Sequence, residues 1–399
     1  MFPTLYHFFR DVFGIELTAL QILNTFGFFV ALSIAGAFWA MATEMKRRTA
    51  LGQFRSVELK ILSGAAYPVS DYIMNGVLSF IFGYKILFLM FPGSDSDNFT
   101  PQEHIFTSEG NFWYGLMAMF FVLGWRYYSD KKQRLPEPKI EIQTQSADWH
   151  MGNITTVALL SGFAGAKLFH ILENPSGLSL TAIFDAFFST GGWTFYGGLL
   201  CGAAGVLIYC KRKGISLLRM LDAGGPAMML SYGIGRFGCQ FSGDGDWGIA
   251  NTSPKPFSWL PDWFWAYTYP HNVLGGQTGG FTPDGMVPIA DCKGDYCYEL
   301  AVPVYPTPLY EALLGLLLFF VLWKVLRHRT EAPGKLFAWY MVFAGAERFL
   351  VETIREHGDS LYRLGSLVFS QAQLISMLLM LLGTTWLLRK QTAATIKTE

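Results

Sequence analysis

Three groups of ionisable residues stand in surroundings that are otherwise almost wholly apolar. Ser231-Tyr232-Gly233-Ile234-Gly235-Arg236-Phe237-Gly238-Cys239 sets one arginine among glycines that allow a close approach. Arg348, Glu352 and Arg355 recur at i, i+4 and i+7, on one face of a helix. Tyr305-Pro306-Thr307-Pro308-Leu309-Tyr310-Glu311 opens an apolar run with a proline pair, a good start for a helix bearing Tyr310 and Glu311 near its beginning. Two guanidinium forks suit a phosphate, which accepts paired hydrogen bonds, and Glu352 is spaced to hold Arg348 in place. The alternative is that Arg236 and the Arg348–Glu352 pair are buried ion pairs that knit helices together. For Arg355 and Glu347, nearer the interface or on another face, that second reading is preferred.

The elements that must carry these residues follow from composition. Of 399 residues, 51% are hydrophobic and only 15% charged, far below the roughly 25% charged residues of a soluble domain. Lipid is therefore the expected solvent. The expected fold is all-α, a polytopic transmembrane helical bundle of about nine spans, each long enough to cross a hydrocarbon core of about 30 Å. The spans lie near 21–42, 72–91, 112–128, 153–173, 192–210, 219–241, 307–326, 335–355 and 368–389. An ionisable side chain at the centre of such a span costs about 2.5–3.5 kcal/mol, which makes each a functional candidate.

Basic residues alternate along the junctions. Lys46-Arg47-Arg48, Arg126 with Lys131-Lys132 and Arg134, Lys211-Arg212-Lys213, Lys324 with Arg327 and Arg329, and Arg389-Lys390 occupy every second one. Those sides are expected to be cytoplasmic, with the N-terminus outside and the C-terminus inside. The intervening loops, 93–97, 174–190, 242–306 and 356–366, carry few basic residues and are expected outside. This topology puts Arg236, Arg348, Tyr310, Glu311 and Tyr196 about four to seven residues from the outer ends of their spans, roughly 6–11 Å deep at 1.5 Å rise per residue. A shared polar cavity opening to the outer leaflet explains a common depth that independent charges would not have.

The division expected is an interfacial amphipathic segment at 1–16, a transmembrane domain at 17–390 with an external cap loop at 242–306, and a tail at 391–399. Residues 1–16 lack the basic start and cleavage site of a signal peptide; Leu5, Phe8, Phe9, Val12 and Phe13 share a helical face. The polar stretch 129–150, with two prolines and no helical period, reads as a cytoplasmic connection. Of five cysteines, Cys292 and Cys297 fall in the external loop and are either bridged or free. No Cys/His set has zinc spacing, so no metal and no cofactor are expected. Gly83-Tyr84-Lys85 and Gly165-Ala166-Lys167 echo one another, as parts of a duplicated hairpin or as two lysines reaching for the interface.

Five ordered motifs resemble the prolipoprotein diacylglyceryl transferase family, over about residues 153–357 with a weaker match near 17–48. The most specific is Gly235-Arg236-Phe237-Gly238-Cys239-Gln240-Phe241-Ser242-Gly243-Asp244-Gly245-Asp246-Trp247-Gly248. The others are Gly165-Ala166-Lys167-Leu168-Phe169, Thr194-Phe195-Tyr196-Gly197-Gly198-Leu199, Pro306-Thr307-Pro308-Leu309-Tyr310-Glu311 and Arg348-Phe349-Leu350-Val351-Glu352. The resemblance implies transfer of the diacylglyceryl group of phosphatidylglycerol to the thiol of a lipobox cysteine in a prolipoprotein, the first step of lipoprotein maturation, at the outer leaflet of a bacterial inner membrane. It implies Tyr196, Arg236 and Arg348 as catalytic residues, and Arg236, Asp244, Asp246, Tyr310, Glu311, Arg348 and Glu352 as substrate-binding ones. The implied partners are phosphatidylglycerol, the prolipoprotein signal peptide with its lipobox and the bilayer, with no nucleic acid.

Departures from the family pattern bear on proton transfer. Tyr196 stands where the family usually has histidine, and Phe26 where it often has tyrosine. The family's asparagine is matched by Cys239 or Gln240, and its acid by Asp244 or Asp246. A phenol of pKa about 10 is a poor general base, and His170 is a possible substitute. The spans at 72–128 lie outside the usual plan. Another outer-leaflet lipid enzyme, or a lipid-binding or transport protein, are the competing functions.

Overall fold

The computed structural model describes residues 1–90, 109–135, 139–174, 179–189, 192–276, 285–292, 296–330, 332–356, 361–364 and 367–389. The loop 93–97 and the tail 391–399 lie outside the described residues. Each apolar segment read from the sequence contains a helix among its described residues, and 368–370 belong to a strand. After the short α1 (Leu5–Phe13) come α2 (Thr25–Ala50), α3 (Val69–Phe82, running on through a π-turn to Met90), α4 (Phe112–Gln133), α5 (Met151–Glu173), the short α6 (Leu180–Phe188) and α7 (Phe195–Arg212). They are followed by α8 (Leu217–Ser242), α9 (Thr307–Phe320, extended by further turns to His328), α10 (Lys335–Val351) and α11 (Gln371–Leu388).

Among the described residues, four helical stretches, Thr25–Ala50, Ala147–Glu173, Thr307–His328 and Gln371–Leu388, are long and apolar enough to cross a membrane. Large apolar side chains such as Phe120, Phe121, Leu160, Leu200, Leu317 and Leu381 are exposed along the helices, a surface that water would not tolerate at this scale. The chain is a helical membrane protein.

Strands depart from the all-α expectation. β1 (Val57–Ser63) pairs antiparallel with β2 (Lys139–Gln145), and β2 lies inside the stretch read as a cytoplasmic connection without a helical period. The period-two alternation of Lys139-Ile140-Glu141-Ile142 fits a strand, but its charge and flanking prolines look like loop. β3 (Met286–Pro288) pairs with β4 (Tyr298–Leu300), and β5 (Leu361–Leu364) with β6 (Leu367–Ser370). The cap is held by its own small core of Trp247, Tyr269, Met286, Leu300 and Val304, and Cys292 is bonded to Cys297.

The chain forms two compact units, Met1–Phe54 with Gly214–Glu399, and Arg55–Lys213. In the first, α8 packs against α2, α9 and α10. Helices α8 and α9 cross at glycines: a Cβ added to Gly233 would lie 3.0 Å from Leu316 N, and one added to Gly315 would lie 3.0 Å from Gly233 Cα. That contact sets the turns bearing Arg236 and Glu311 side by side. The second unit holds two helical hairpins, α3 with α4 and α5 with α7.

Candidate active site

Glu311 is the centre of the polar site. Proline at the start of α9 fixes the helix entry, and Glu311 follows at the head of its second turn with no solvent exposure. A carboxylate there is favoured by the positive end of the helix dipole, but its desolvation demands cations. Arg236 Nε of α8 lies 3.0 Å from Glu311 Oε2, and Arg348 Nη1 of α10 donates to Oε1 at 2.8 Å. Arg355 Nη1 stands 3.5 Å from the same Oε1. Three guanidinium groups thus meet one carboxylate.

Two further carboxylates balance the charge. Arg348 Nη2 is 2.9 Å from Glu352 Oε2, across the i, i+4 spacing read from the sequence. Glu352 is itself held by Ser370, whose hydroxyl donates to Oε1 at 2.8 Å. Asp246 bridges two arginines, taking Nη1 of Arg236 on Oδ2 and Nη2 of Arg355 on Oδ1. Burial works against its charge, but the guanidinium groups of Arg236 and Arg355 prevail and hold its carboxyl below the usual aspartate range. Tyr232 lies beneath Arg236, its ring centroid 5.3 Å from the guanidinium carbon, and its hydroxyl donates to Glu347 Oε1 at 3.2 Å.

Backbone stitching brings Arg355 and Asp246 together. The helix α10 ends at Val351, a tight turn spans Glu352–Ile354, and Arg355 is extended. It bridges antiparallel to Gly248, while Ile249 N donates to Ile354 O at 2.9 Å and Gly248 N to Tyr305 O at 2.9 Å. A Cβ on Gly248 would lie 2.4 Å from Ile354 O, so only glycine permits this crossing. Thr307, fully buried, donates its hydroxyl to Asp246 O at 3.0 Å.

The expected residues therefore divide. Arg236, Glu311, Arg348, Glu352 and Asp246 come together. Tyr310 shares the turn of Glu311, but its hydroxyl donates to Phe264 O at 2.6 Å and ties the cap to α9. Asp244 accepts from Asp246 N at 3.3 Å and faces the Cys239 thiol, and burial raises its carboxyl above the usual range. Cys239 stays beside Arg236, with Sγ 3.8 Å from Nη1, whereas Gln240 accepts from Tyr269 in the cap at 2.8 Å. Phe26 packs against the helix at Gly238. Tyr196 belongs to the unit 55–213, where it is the second residue of α7 and partly exposed. His170, in that unit, contacts Asn174 and packs under Gly192. The sequence reading set Arg355 aside, and the signal that could have recovered it is Gly248, whose missing side chain makes room for the returning chain. Ser370 follows the apolar Leu367-Val368-Phe369 and has no charge or spacing that marks it in the sequence.

What the arrangement offers chemically is exposure of one side only. Glu311 is sealed, but the side chains of Arg348 and Asp246 are 28% and 32% exposed. The guanidinium groups are pre-aimed by Glu311 and Glu352 while part of their donor surface faces outward, an arrangement that costs little reorganisation when an anion arrives.

Fold and centre define a helical membrane protein with an arginine-rich polar site at the end of its bundle. The chain belongs to the prolipoprotein diacylglyceryl transferase family, whose profile matches residues 105–389. It is similar to the phosphatidylglycerol–prolipoprotein diacylglyceryl transferase of Leptospira interrogans, 25% identical over an alignment of 320 positions that covers 69% of this chain and 86% of the relative. The enzyme of the same name from Clostridium tetani is 27% identical over 242 residues, 59% of this chain and 78% of the relative. That from Finegoldia magna is 31% identical over 233 residues, 58% and 75% of the two chains.

Proposed function

We propose that this chain transfers the diacylglyceryl group of phosphatidylglycerol to the thiol of a lipobox cysteine in prolipoproteins, the first step of lipoprotein maturation. The observation that carries the reading is the meeting of Arg236 and Arg348, from separate helices, on the two oxygens of Glu311. Groups that share one carboxylate are close enough to share one phosphate, and the family membership supplies the reaction.

In the reaction the acceptor sulfur attacks the glyceryl carbon that carries the phosphate ester. A C–S bond forms, the C–O bond breaks, and glycerol phosphate leaves with the electron pair. Arg236 holds the phosphate and Arg348 meets the negative charge that grows on the leaving oxygen, kept in place by Glu352 and, through it, Ser370. Asp246 occupies the outward donors of Arg236 and Arg355, so it yields them to the lipid phosphate on binding and retakes them on product release. Glu311 remains the pivot, and Tyr310 and Asp244 shape the wall between helix and cap. A free thiol has pKa about 8.5 and needs a proton acceptor. Tyr196 stands where the family motif at the start of α7 usually has histidine and is proposed on that resemblance to act in proton transfer, and the departing phosphate monoester is able to take up the proton.

The chain is placed in a bacterial inner membrane with about nine spans, the N-terminus outside, the C-terminus inside and the site open to the outer leaflet. Support comes from the alternating basic junctions and from the position of Arg236, Glu311 and Arg348 at one end of their helices. The purified protein, given phosphatidylglycerol and a lipobox peptide, is expected to add one diacylglyceryl mass to the peptide cysteine. An unmodified peptide under conditions where the protein stays folded refutes the proposal.

A further inference from the structure

The unit 55–213 contains the same structure twice. Strands β1 and β2 start at Val57 and Lys139, and the helices that follow start at Val69 and Met151, at one constant spacing. Within those helices Ser79 and Ser161 each donate a hydroxyl one turn back, to Asn75 O and Val157 O, both at 2.6 Å. Gly83-Tyr84-Lys85 and Gly165-Ala166-Lys167 follow at the same spacing. The return helices begin Asn111-Phe112-Trp113-Tyr114-Gly115-Leu116 and Thr194-Phe195-Tyr196-Gly197-Gly198-Leu199.

The contacts that close the two hairpins correspond. Asn111 N donates to Tyr84 O at 3.0 Å, and Thr194 N to Ala166 O at 3.2 Å. A Cβ on Gly83 would lie 2.3 Å from Tyr114 O and 2.6 Å from Ala118 Cβ; one on Gly165 would lie 2.4 Å from Gly197 O and 2.3 Å from Cys201 Cβ. Lys85 donates to Glu109 O at 2.7 Å and Lys167 to Ser189 O at 2.6 Å, each tying the end of the first helix to the segment that leads into the second. The strands complete the relation. Val57 pairs with Gln145, Ser63 with Lys139, and Lys60 with Ile142, its own equivalent. An antiparallel pair in which one residue faces its own counterpart has a two-fold axis through that pair.

We infer that residues 57–212 are two copies of one strand–hairpin unit joined about an internal two-fold axis, and that Lys167 is a positioning residue for the helix start bearing Tyr196. What both copies keep, Gly-x-Lys and the return-helix entry, is the lock that closes the hairpin. What only the second copy has at that end is Tyr196 in place of Trp113 and His170 in place of Phe88, two titratable side chains that the shared lock does not require. The motif Gly165-Ala166-Lys167 is accordingly assigned to the lock and not to the lipid. The first copy repeats the brace without the phenol at the position of Trp113.

Three readings on the full-length protein in membranes test this. The double variant Glu58→Cys with Thr144→Cys, a facing pair, cross-links on mild oxidation, and Glu58→Cys with Ile142→Cys does not; the reverse pattern overturns the two-fold relation. Gly165→Val raises maleimide labelling of Cys201 severalfold, located by peptide mass, and Gly83→Val does the same for a thiol introduced by Ala118→Cys. A response at one site without the other overturns the equivalence. The last reading rests on the transferase proposal, whereas the first two hold whatever the chain transfers. In it, Lys167→Met lowers kcat severalfold at unchanged KM for phosphatidylglycerol, and Lys85→Met changes neither. A raised KM for Lys167→Met would show instead that its ammonium holds lipid.

Discussion

The helix α8 carries a charged cluster at each end, and the two are built from the same residue types to opposite effect. Near its start, Asp222 joins Glu44 and Arg48 of α2: Arg48 Nε is 2.8 Å from Glu44 Oε1 and Arg48 Nη1 is 3.4 Å from Asp222 Oδ2. All three are at most 1% exposed. Asp222 spends its remaining acceptor capacity on backbone, taking Gly334 N at 2.8 Å and Phe337 N at 2.9 Å, and so caps the start of α10 from a distant part of the chain. Arg47 and Arg327 close the rim around Glu44. At the other end, Glu311 is just as buried, but Arg348 and Asp246 stay partly open. Burial and charge alone therefore do not mark a functional site. Donors that are aimed and still reachable do.

The contrast can be broken in order of expected effect. Asp222→Ala leaves Arg48 without its second carboxylate and uncaps α10, and a broken buried pair costs about 3–5 kcal/mol. Thermal unfolding in detergent should show that loss, with transfer falling only as the folded fraction falls. Arg348→Ala is expected to weigh the other way: Glu311 keeps Arg236 and Arg355 and Glu352 keeps Ser370, so the loss of thermal stability is smaller than for Asp222→Ala, while kcat drops about 10²–10³-fold, the usual cost of one oxyanion donor. Equal effects of the two variants on stability would erase the distinction between the clusters.

A pH titration sharpens it further. Asp246 has a carboxyl held below its ordinary value, so its contribution is complete above the unfolded aspartate pKa of about 3.9 and is lost as pH falls through the lower folded value. Acid should therefore loosen the Arg236–Asp246–Arg355 bridge only at the bottom of that range, and Asp246→Asn should remove this acid step from the stability curve. A step that persists in the variant belongs to another group.

Much of this was readable before any coordinates. Apolar length gave the helices, and the lipid cost of Arg236, Glu311, Arg348 and Glu352 singled them out, because their spacing along regular helices predicts which face they share. Arg355 and Asp246 were harder, since they meet through a non-helical return past Gly248, and no period describes that path. Arg48 was read as a marker of membrane orientation; its burial against Glu44 and Asp222 depends on helices far apart in sequence. The strand β2 was hidden by its charge. Conversely, the faint Gly-x-Lys echo was a real structural repeat, legible only once the facing carbonyls of Tyr114 and Gly197 gave the two glycines the same task.

Arginines from separate helices are proposed to grip one lipid phosphate. Native mass spectrometry of the detergent-purified protein, comparing retained phosphatidylglycerol with uncharged diacylglycerol, tests it directly. Wild type is expected to keep phosphatidylglycerol preferentially, and the Arg236→Ala, Arg348→Ala double variant to lose that preference while remaining folded. Undiminished preference in the double variant would contradict the account.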